Sequence, residues 1–157
     1  VGRLDSRYVG HDSDAAGETF EYDPSYAAIL GPYTATLNDY IRRELGFESD
    51  VPYEILTDKV HPWKFDTAEN RFLSVAADLR AAMTKNPHLR VYVANGYHDL
   101  ATPYFATQHT FDHLGLEPHL RANVTMGYFE AGHMMYVHSG ALAGLKAELG
   151  RFVGGEG

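Results

Sequence analysis

The sequence predicts an α/β protein with two parallel strands, at about residues 89–95 and 123–129. Both runs are rich in β-branched and aromatic residues, which is typical of buried strands. Helical patterns precede, separate and follow them, so that from residue 66 onward helices and strands alternate. About 27 residues separate the two runs, which is enough for a helix that crosses from one strand to the next. This alternation favours a parallel sheet over an antiparallel hairpin.

Composition excludes several classes of function. The chain has 157 residues, of which 45% are hydrophobic, so it can bury the core of one domain. The net charge is −8 and the 13 Lys and Arg residues are scattered, which argues against binding to nucleic acid or to an anionic membrane. Cysteine is absent, so disulfides, thiol nucleophiles and thiolate metal ligands are excluded. No apolar run approaches the roughly 20 residues of a membrane helix.

The first part of the chain predicts loop and helix. Residues 1–22 show no sustained period and predict irregular structure. Asp23 before Pro24 is typical of a helix start, and the pair Gly31-Pro32 predicts that this helix is interrupted. A second helix is expected from Pro32 until Gly46 supplies a stop.

The middle of the chain predicts an extended arm followed by a helix. Residues 51–65 alternate weakly and favour a short strand or an extended arm. Trp63 in this arm is expected to pack as structural filler. Residues 66–69 carry a capping-box pattern, which predicts a helix with an apolar stripe that runs from Phe72 to Met83.

Two further helices are expected in the last third. One begins at Thr102-Pro103 and runs to Gly115, and the other begins at Ser139 and carries the last apolar stripe.

Each strand ends at a glycine and is followed by a side chain suited to acid–base chemistry. Asp99 follows Gly96, and His133 follows Gly132. Because the carboxyl ends of neighbouring parallel strands meet at one edge of a sheet, the two side chains are expected to lie together. A carboxylate can hold the tautomer of an imidazole whose other nitrogen accepts a proton from a nucleophile. The order acid before histidine is that of an α/β-hydrolase sheet, although both residues could instead be turn residues with local hydrogen bonds.

Two blocks of sequence resemble a known family. Residues 95–103 and 128–136 resemble the catalytic-acid and catalytic-histidine blocks of the serine carboxypeptidase-like family, also called peptidase family S10. The opening segment 2–7 resembles part of the insertion, or cap region, of its bacterial members. The resemblance implies that residues 1–65 are the end of a mostly helical cap region and that residues 66–157 are the C-terminal part of an α/β-hydrolase domain.

The resemblance also implies a role for individual residues. Asp99 matches the acid of the catalytic triad and His133 matches its general base. Met134 matches the methionine that lines the subsite for the leaving residue, with plain packing as the alternative. Glu130 is a weaker candidate for substrate binding, since an exposed loop carboxylate would explain it equally well. The family needs no cofactor and no metal, and it favours a secreted or periplasmic location.

The nucleophile of the family is missing from this chain. In the family it lies in Gly-x-Ser-x-Gly, upstream of the cap, and none of the six serines here has those glycines. The chain therefore resembles the C-terminal portion of a hydrolase that removes C-terminal residues from peptides through an acyl-enzyme, and it is expected to be inactive alone. A start at Val1 without methionine suggests a processed or excised piece. Some family members are acyltransferases, which use the same acid and histidine.

A two-stranded remainder of a larger sheet leaves an unpaired strand edge. The strand that contains Val91 and Val93 is expected to pair with the upstream portion of the protein or with a second copy of this chain. A peptide is the expected substrate of the complete enzyme, and neither nucleic acid nor a membrane is expected as a partner.

Two other functions remain open from the sequence. The chain could be a non-catalytic interaction subunit or a degenerate relative, because it lacks a nucleophile. It could also be a metal-binding module, since His109 and His113 lie four positions apart on a predicted helix with Asp112 beside them.

Overall fold

The sheet consists of two parallel strands, as the sequence predicts. In the computed structural model, which describes residues 1–13, 19–65, 68 and 72–155, β1 spans Val91–Gly96 and β2 spans Val124–Phe129. Val91 pairs with Val124 at one end of the ladder and Gly96 pairs with Phe129 at the other. The protein thus has a mixed α/β fold.

The described part of the chain contains five α-helices. They are α1 (Pro24–Asp39), α2 (Ala76–Lys85), α3 (Tyr104–Asp112), α4 (Pro118–Arg121) and α5 (Ser139–Gly154). A π-helical turn, Tyr40–Glu44, continues α1, and 3-10 turns occur at Asp58–Val60 and Met135–Val137. No described helix has the length and apolarity needed to cross a membrane.

The main core lies between the sheet and α5. It is formed by Phe129, Ala131, Met135 and Ala141, with Ala94 and Leu145 packed at its margin. Because paired residues of parallel strands share a face, Ala94 and Phe129 lie on the face that α5 covers. The core therefore ties the last helix to the strand ends, next to the predicted site.

The opposite face of the sheet carries a more polar contact. Tyr128 of β2 lies on that face, and its hydroxyl accepts a hydrogen bond of 2.7 Å from the Gln108 side chain of α3. Its ring also stacks on Tyr97, with centroids 5.8 Å apart. The two helices α3 and α5 thus contact different faces of the sheet.

The predicted interruption of the first helix is wrong. Pro32 lies inside α1, which runs without a break from Pro24 to Asp39. A proline removes only one N–H from the helix, and the other hydrogen bonds of α1 are sufficient to continue it through Pro32. The start and the stop are confirmed: the Asp23 carboxylate accepts from two N–H groups of the first turn, and Gly46 has a φ of +61°.

The helix predicted from residue 66 starts later than expected. Asp66, Thr67 and Glu69 of the capping box lie outside the described residues, and α2 begins only at Ala76. Of the predicted stripe, Phe72 is fully exposed whereas Met83 is fully buried. Residues 72–75 are exposed and form no regular element, so the predicted stripe extends beyond the observed helix.

The arm before it contains no strand among its described residues. Residues 51–57 and 61–65 are irregular, and the only turn of helix there is Asp58–Val60. The prediction that Trp63 packs as filler is wrong, because 63% of the residue is exposed; its ring stacks on that of Phe65, with centroids 6.4 Å apart.

The last two helices begin close to the predicted residues, but neither Thr102 nor Ser139 caps its helix. Thr102 does not cap α3, and its hydroxyl bonds Asp99 instead. Ser139 is the first residue of α5, whose cap is the ring of His138, with Nδ1 accepting from the Ala141 N–H.

Candidate active site: an Asp–His pair at the carboxyl edge of the sheet

The loops that follow the two strands run side by side because glycines allow it. A Cβ added at Gly96 would lie 2.3 Å from the carbonyl oxygen of Gly132, closer than any real side chain approaches. Beyond the strands, Tyr97 N–H donates to the Phe129 carbonyl and His98 N–H donates to the Ala131 carbonyl, both at 3.0 Å. The parallel pairing therefore continues into the loops and brings them into contact.

The structure places Asp99 and His133 together at this edge. Oδ2 of Asp99 lies 2.8 Å from Nδ1 of His133. Asp99 is buried, with 5% of its surface exposed, whereas 43% of the His133 side chain is exposed. The expected proximity is confirmed, and the catalytic role of the pair stays a prediction.

The Asp99 carboxylate is held by its own loop. Oδ1 accepts from the N–H groups of Ala101 (2.7 Å) and Thr102 (2.9 Å), and Oδ2 accepts from the Thr102 hydroxyl (2.6 Å). Burial by itself would raise the pKa of Asp99, but the Thr102 hydroxyl and N–H, the His133 ring and the Ala101 N–H together hold that pKa below its ordinary value. The carboxylate is therefore ionised at neutral pH.

This arrangement selects one tautomer of His133. An ionised carboxylate only accepts hydrogen bonds, so Nδ1 of His133 must carry the proton that it donates to Asp99. Thr102 Oγ1, which is 3.1 Å from Nδ1, already donates to Asp99. In the neutral ring, Nε2 then has a free lone pair, and no described residue forms a hydrogen bond with it. The pair is set up to accept a proton at Nε2.

The N-terminal segment joins the two loops. We call residues 3–6 the strap. The Arg3 carbonyl accepts a hydrogen bond from Leu100 N–H (3.0 Å), and the Leu4 carbonyl accepts one from His133 N–H (2.7 Å). The strap also donates one, from Ser6 N–H to the His98 carbonyl (2.9 Å). It lies so close to Gly132 that an added Cβ there would be 2.3 Å from the Leu4 oxygen. The strap thus fixes the His133 loop against the Asp99 loop.

An ion pair fixes the chain directly after the strap. Arg7 contacts both oxygens of Asp5 through Nε (3.0 Å) and Nη2 (2.6 Å), and Nη1 donates to the Glu130 carbonyl (3.0 Å). Burial would raise the pKa of Asp5, but Arg7 holds it below its ordinary value. The Glu130 side chain is 77% exposed and lies 3.4 Å from His98 Nε2. No described contact joins the Glu130 carboxylate to the Asp99–His133 pair, so its substrate-binding role remains untested.

Met134 lies between two open cavities. One has a volume of about 290 Å³, and its other lining residues are Asp5, Arg7, Tyr8, Val137 and His138. The other, of about 550 Å³, lies between α1, the arm and the residues after His133. We call the second cavity the tyrosine groove, and its lining is Ile29, Tyr33, Thr36, Leu37, Tyr40, Tyr53, Ile55, Met134 and Tyr136.

None of the serines supplies the missing nucleophile to this pair. No serine in the described part of the chain forms a hydrogen bond with His133. Ser25, the most buried, is 3% exposed and accepts from the Leu4 N–H at 3.0 Å, while its hydroxyl bonds Asp23. It therefore supports the strap.

The histidine pair proposed as a metal site has other contacts. The rings of His109 and His113 stack with centroids 4.0 Å apart, and Asp112 pairs with Arg121. The described residues contain no group of three or more side chains placed to hold a metal ion.

In comparisons with known proteins, no protein-family model, curated protein or solved structure matches the chain. The family resemblance thus depends on the sequence segments alone and stays a prediction.

Sequence reasoning missed two features of this site. One is the bond from the Thr102 hydroxyl to Asp99, although Asp and Thr are both typical of turns in which side chains form local hydrogen bonds. The other is the set of hydrogen bonds between the strap and the two loops, because residues 1–22 predict only irregular structure. Gly132 is the one indication of these contacts in the sequence, since a glycine before a functional histidine can mark a close approach of another backbone segment.

Proposed function

We propose that this chain is the C-terminal portion of a serine carboxypeptidase-like hydrolase of the α/β-hydrolase fold. The observation that carries the proposal is the 2.8 Å contact between Asp99 and His133, with Nε2 of the histidine free to meet a nucleophile. The mixed α/β fold and the position of the pair after two parallel strands support it.

In the proposed reaction the complete protein supplies a serine upstream of this chain. His133 Nε2 takes the hydroxyl proton while the serine oxygen attacks the carbonyl carbon of the last peptide bond. As the C–N bond breaks, His133 returns the proton to the leaving amine, and the acyl group stays on the serine. Water then attacks the acyl-enzyme, His133 takes its proton, and the same proton returns to the serine oxygen as the acid product leaves. Asp99 stabilises the imidazolium in both halves of the reaction.

A fluorophosphonate, which labels an activated serine covalently, tests this proposal. We expect it to label the protein expressed with its upstream reading frame, and not the 157-residue chain alone. Replacing His133 by Ala in the longer protein should abolish labelling, whereas a Glu117→Gln variant, at an exposed position before α4, should be labelled like the parent.

Labelling of the chain alone would contradict the proposal. So would an upstream reading frame without Gly-x-Ser-x-Gly, which would favour a non-catalytic relative. If the label is accepted, peptide hydrolysis and acyl transfer to an added amine, measured on the same sample, separate a peptidase from an acyltransferase.

We also propose that β1 pairs through its outer edge with the upstream portion. Val91 N–H bonds the Asn123 carbonyl on the β2 side, so by the alternation of a strand the N–H groups of Tyr92 and Ala94 point to the other side. Such an edge is a template for another strand. Sedimentation of the isolated chain should reveal self-association that disappears when the upstream portion is present. A monomeric chain that binds no apolar dye would contradict this.

A further inference from the structure

We propose that the N-terminus of α1 orients His133 through the strap, with Ser25 as the positioning residue. Three hydrogen bonds in series form the link. The Ser25 hydroxyl donates to Asp23, and its oxygen accepts from the Leu4 N–H at 3.0 Å. The Leu4 carbonyl then accepts from the His133 N–H at 2.7 Å. The role of His133 as a general base depends on the proposed function, whereas the link joins it to a helix outside the catalytic pair.

Asp23 fixes the direction of the first two hydrogen bonds. Burial would raise the pKa of Asp23, but the Ser25 hydroxyl and three backbone N–H groups hold that pKa below its ordinary value. An ionised carboxylate only accepts hydrogen bonds, so the hydroxyl proton of Ser25 points to Asp23. The Ser25 oxygen is therefore left to accept from the Leu4 N–H of the strap.

The helix does not need the Ser25 hydroxyl as a cap. Asp23 is the N-cap of α1, and its side chain accepts from the N–H groups of Ser25 and Tyr26. Serine is mostly exposed in proteins, but only 3% of Ser25 is exposed. The N-terminal chain covers it so closely that a Cβ added at Gly2 would lie 2.5 Å from the Ser25 Cβ. The hydroxyl is thus buried at the contact between α1 and the start of the chain.

The strap is bonded to α1 at two adjacent residues. The Arg3 N–H donates to Oδ2 of Asp23 at 2.9 Å, beside the bond from the Leu4 N–H. The other side of the strap contacts the His133 loop, where a Cβ added at Gly132 would lie 2.3 Å from the Leu4 oxygen. A strap released from α1 would therefore carry the backbone of His133 with it.

The ring of His133 depends on the position of its backbone. Because 43% of the side chain is exposed, packing holds the ring only in part. Nδ1 lies 2.8 Å from Asp99 and 3.1 Å from the Thr102 hydroxyl. Hydrogen bonds of this kind weaken as the distance rises above about 3.2 Å. A displaced backbone would thus loosen the contact with Asp99, which selects the tautomer with the proton on Nδ1.

Amide hydrogen exchange of the isolated chain tests the link, with two N–H groups followed in one sample. The His133 N–H reports the bond to the strap, and the Thr102 N–H reports the turn around Asp99. Ser25→Ala removes the acceptor of the Leu4 N–H. We expect exchange at His133 to rise about tenfold relative to exchange at Thr102, which is the size of effect that the loss of one hydrogen bond produces.

The ring of His133 gives a second signal from the same variant. At an alkaline pH that leaves the ring neutral, the two ring nitrogens have well-separated ¹⁵N shifts when one tautomer is fixed. In Ser25→Ala we expect the two shifts to approach each other, because the tautomer with the proton on Nε2 becomes populated. A residue that only stabilises the fold would not change this signal.

Two further variants separate the link from the stability of α1. Asparagine caps a helix as well as aspartate does, so Asp23→Asn keeps the cap. Its amide group cannot accept the Arg3 N–H, and exchange at His133 should rise about threefold relative to exchange at Thr102. Ala28→Gly weakens α1 at an exposed position that makes none of the hydrogen bonds to the strap, and it should leave the ratio unchanged.

Three outcomes would overturn the inference: equal increases at His133 and Thr102 in Ser25→Ala, an unchanged His133 signal in Ser25→Ala or in Asp23→Asn, or the same change in Ala28→Gly. If Ser25→Ala does not fold, Asp23→Asn decides. Neither signal needs a nucleophile. Unchanged His133 signals with fluorophosphonate labelling of the complete protein intact would therefore reject the link alone, and changed signals without labelling would reject the proposed function alone.

Discussion

The two loops at the carboxyl edge of the sheet hold their functional side chains in different ways. The Asp99 carboxylate is held locally, because three of its four hydrogen bonds come from Ala101 and Thr102. The His133 loop depends on a distant segment, since its backbone N–H bonds Leu4 of the strap. The acid is buried and the histidine is 43% exposed. Asp99 is thus held by its neighbours in sequence, whereas the position of His133 depends on the strap. Different substitutions should therefore disturb the two residues.

The largest effect is expected from Asp99→Asn. The Asn oxygen should take the place of Oδ1 and accept the two N–H groups, which turns the amide NH₂ toward His133 Nδ1 and favours the tautomer with the proton on Nε2. Ring ¹⁵N shifts of His133 in the isolated chain would report this change. In the complete protein, fluorophosphonate labelling should slow by about 10⁴-fold, the loss known for the same change in the serine-protease triad. An unchanged tautomer would show that Asp99 does not orient the ring.

Gly132→Ala should disturb the His133 loop and leave the Asp99 turn intact. The added Cβ would lie 2.3 Å from the Leu4 oxygen, so the strap must shift, at a cost of about 1–3 kcal/mol in the free energy of unfolding. Gly150→Ala is the matched control, because nothing lies within 4 Å of a Cβ there and alanine stabilises a helix interior by about 0.5–1 kcal/mol. Chemical denaturation of both variants measures the difference. Equal stability of the two would contradict the role assigned to the strap.

Thr102→Val should loosen the Asp99 loop and leave the strap unaffected. It removes the hydroxyl that donates to Oδ2 and keeps the N–H that donates to Oδ1, so the pKa of Asp99 should rise toward its ordinary value. A hydrogen bond to a charged group contributes about 1.5–3 kcal/mol. The carboxyl ¹³C shift of Asp99, followed with pH, gives the pKa directly. Thr102→Ser keeps the hydroxyl and should behave like the parent, and a similar change in both variants would assign the effect to packing.

The smallest effect concerns the loss of stability at acid pH. This loss should be smaller in the Asp99→Asn variant than in the parent. The pKa of Asp99 in the folded protein lies below its ordinary value of 3.8, so its ionised form stabilises the fold above that pH, and the contribution is lost as the pH falls through the lowered pKa. Unfolding measured between about pH 2 and pH 6 should show a steeper acid decline in the parent than in the variant. Asp5 and Asp23 also have lowered pKa values, so the variant should retain part of the decline. Identical pH profiles would contradict the assignment.

Local sequence patterns predicted the edge of the sheet well. Strand propensity, a glycine at each strand end and the crossover length are properties of short segments, and they placed Asp99 and His133 together. The strand bounds differ only at their ends, because the Leu89 N–H closes a turn onto Asn86 before β1 begins.

Features that depend on distant contacts were not predicted. The strap carries no periodic signal, since its hydrogen bonds are made by backbone groups to loops far along the chain. Phe72 and Trp63 were expected to pack, but burial depends on a partner surface, and apolar character alone does not supply one. The continuity of α1 through Pro32 shows that the loss of one N–H weakens a helix without ending it.

The strap also affects the order in which parts of the protein fold. Arg7, directly after the strap, and the Glu130 carbonyl that it bonds are 123 positions apart in sequence. Contacts of such high sequence separation form slowly, because the chain entropy of closing the loop is lost before the contact is made. During synthesis the strap and Arg7 leave the ribosome long before the His133 loop exists. The histidine should therefore gain its fixed orientation in one of the last folding steps, after the Asp99 turn has already formed from its own neighbours.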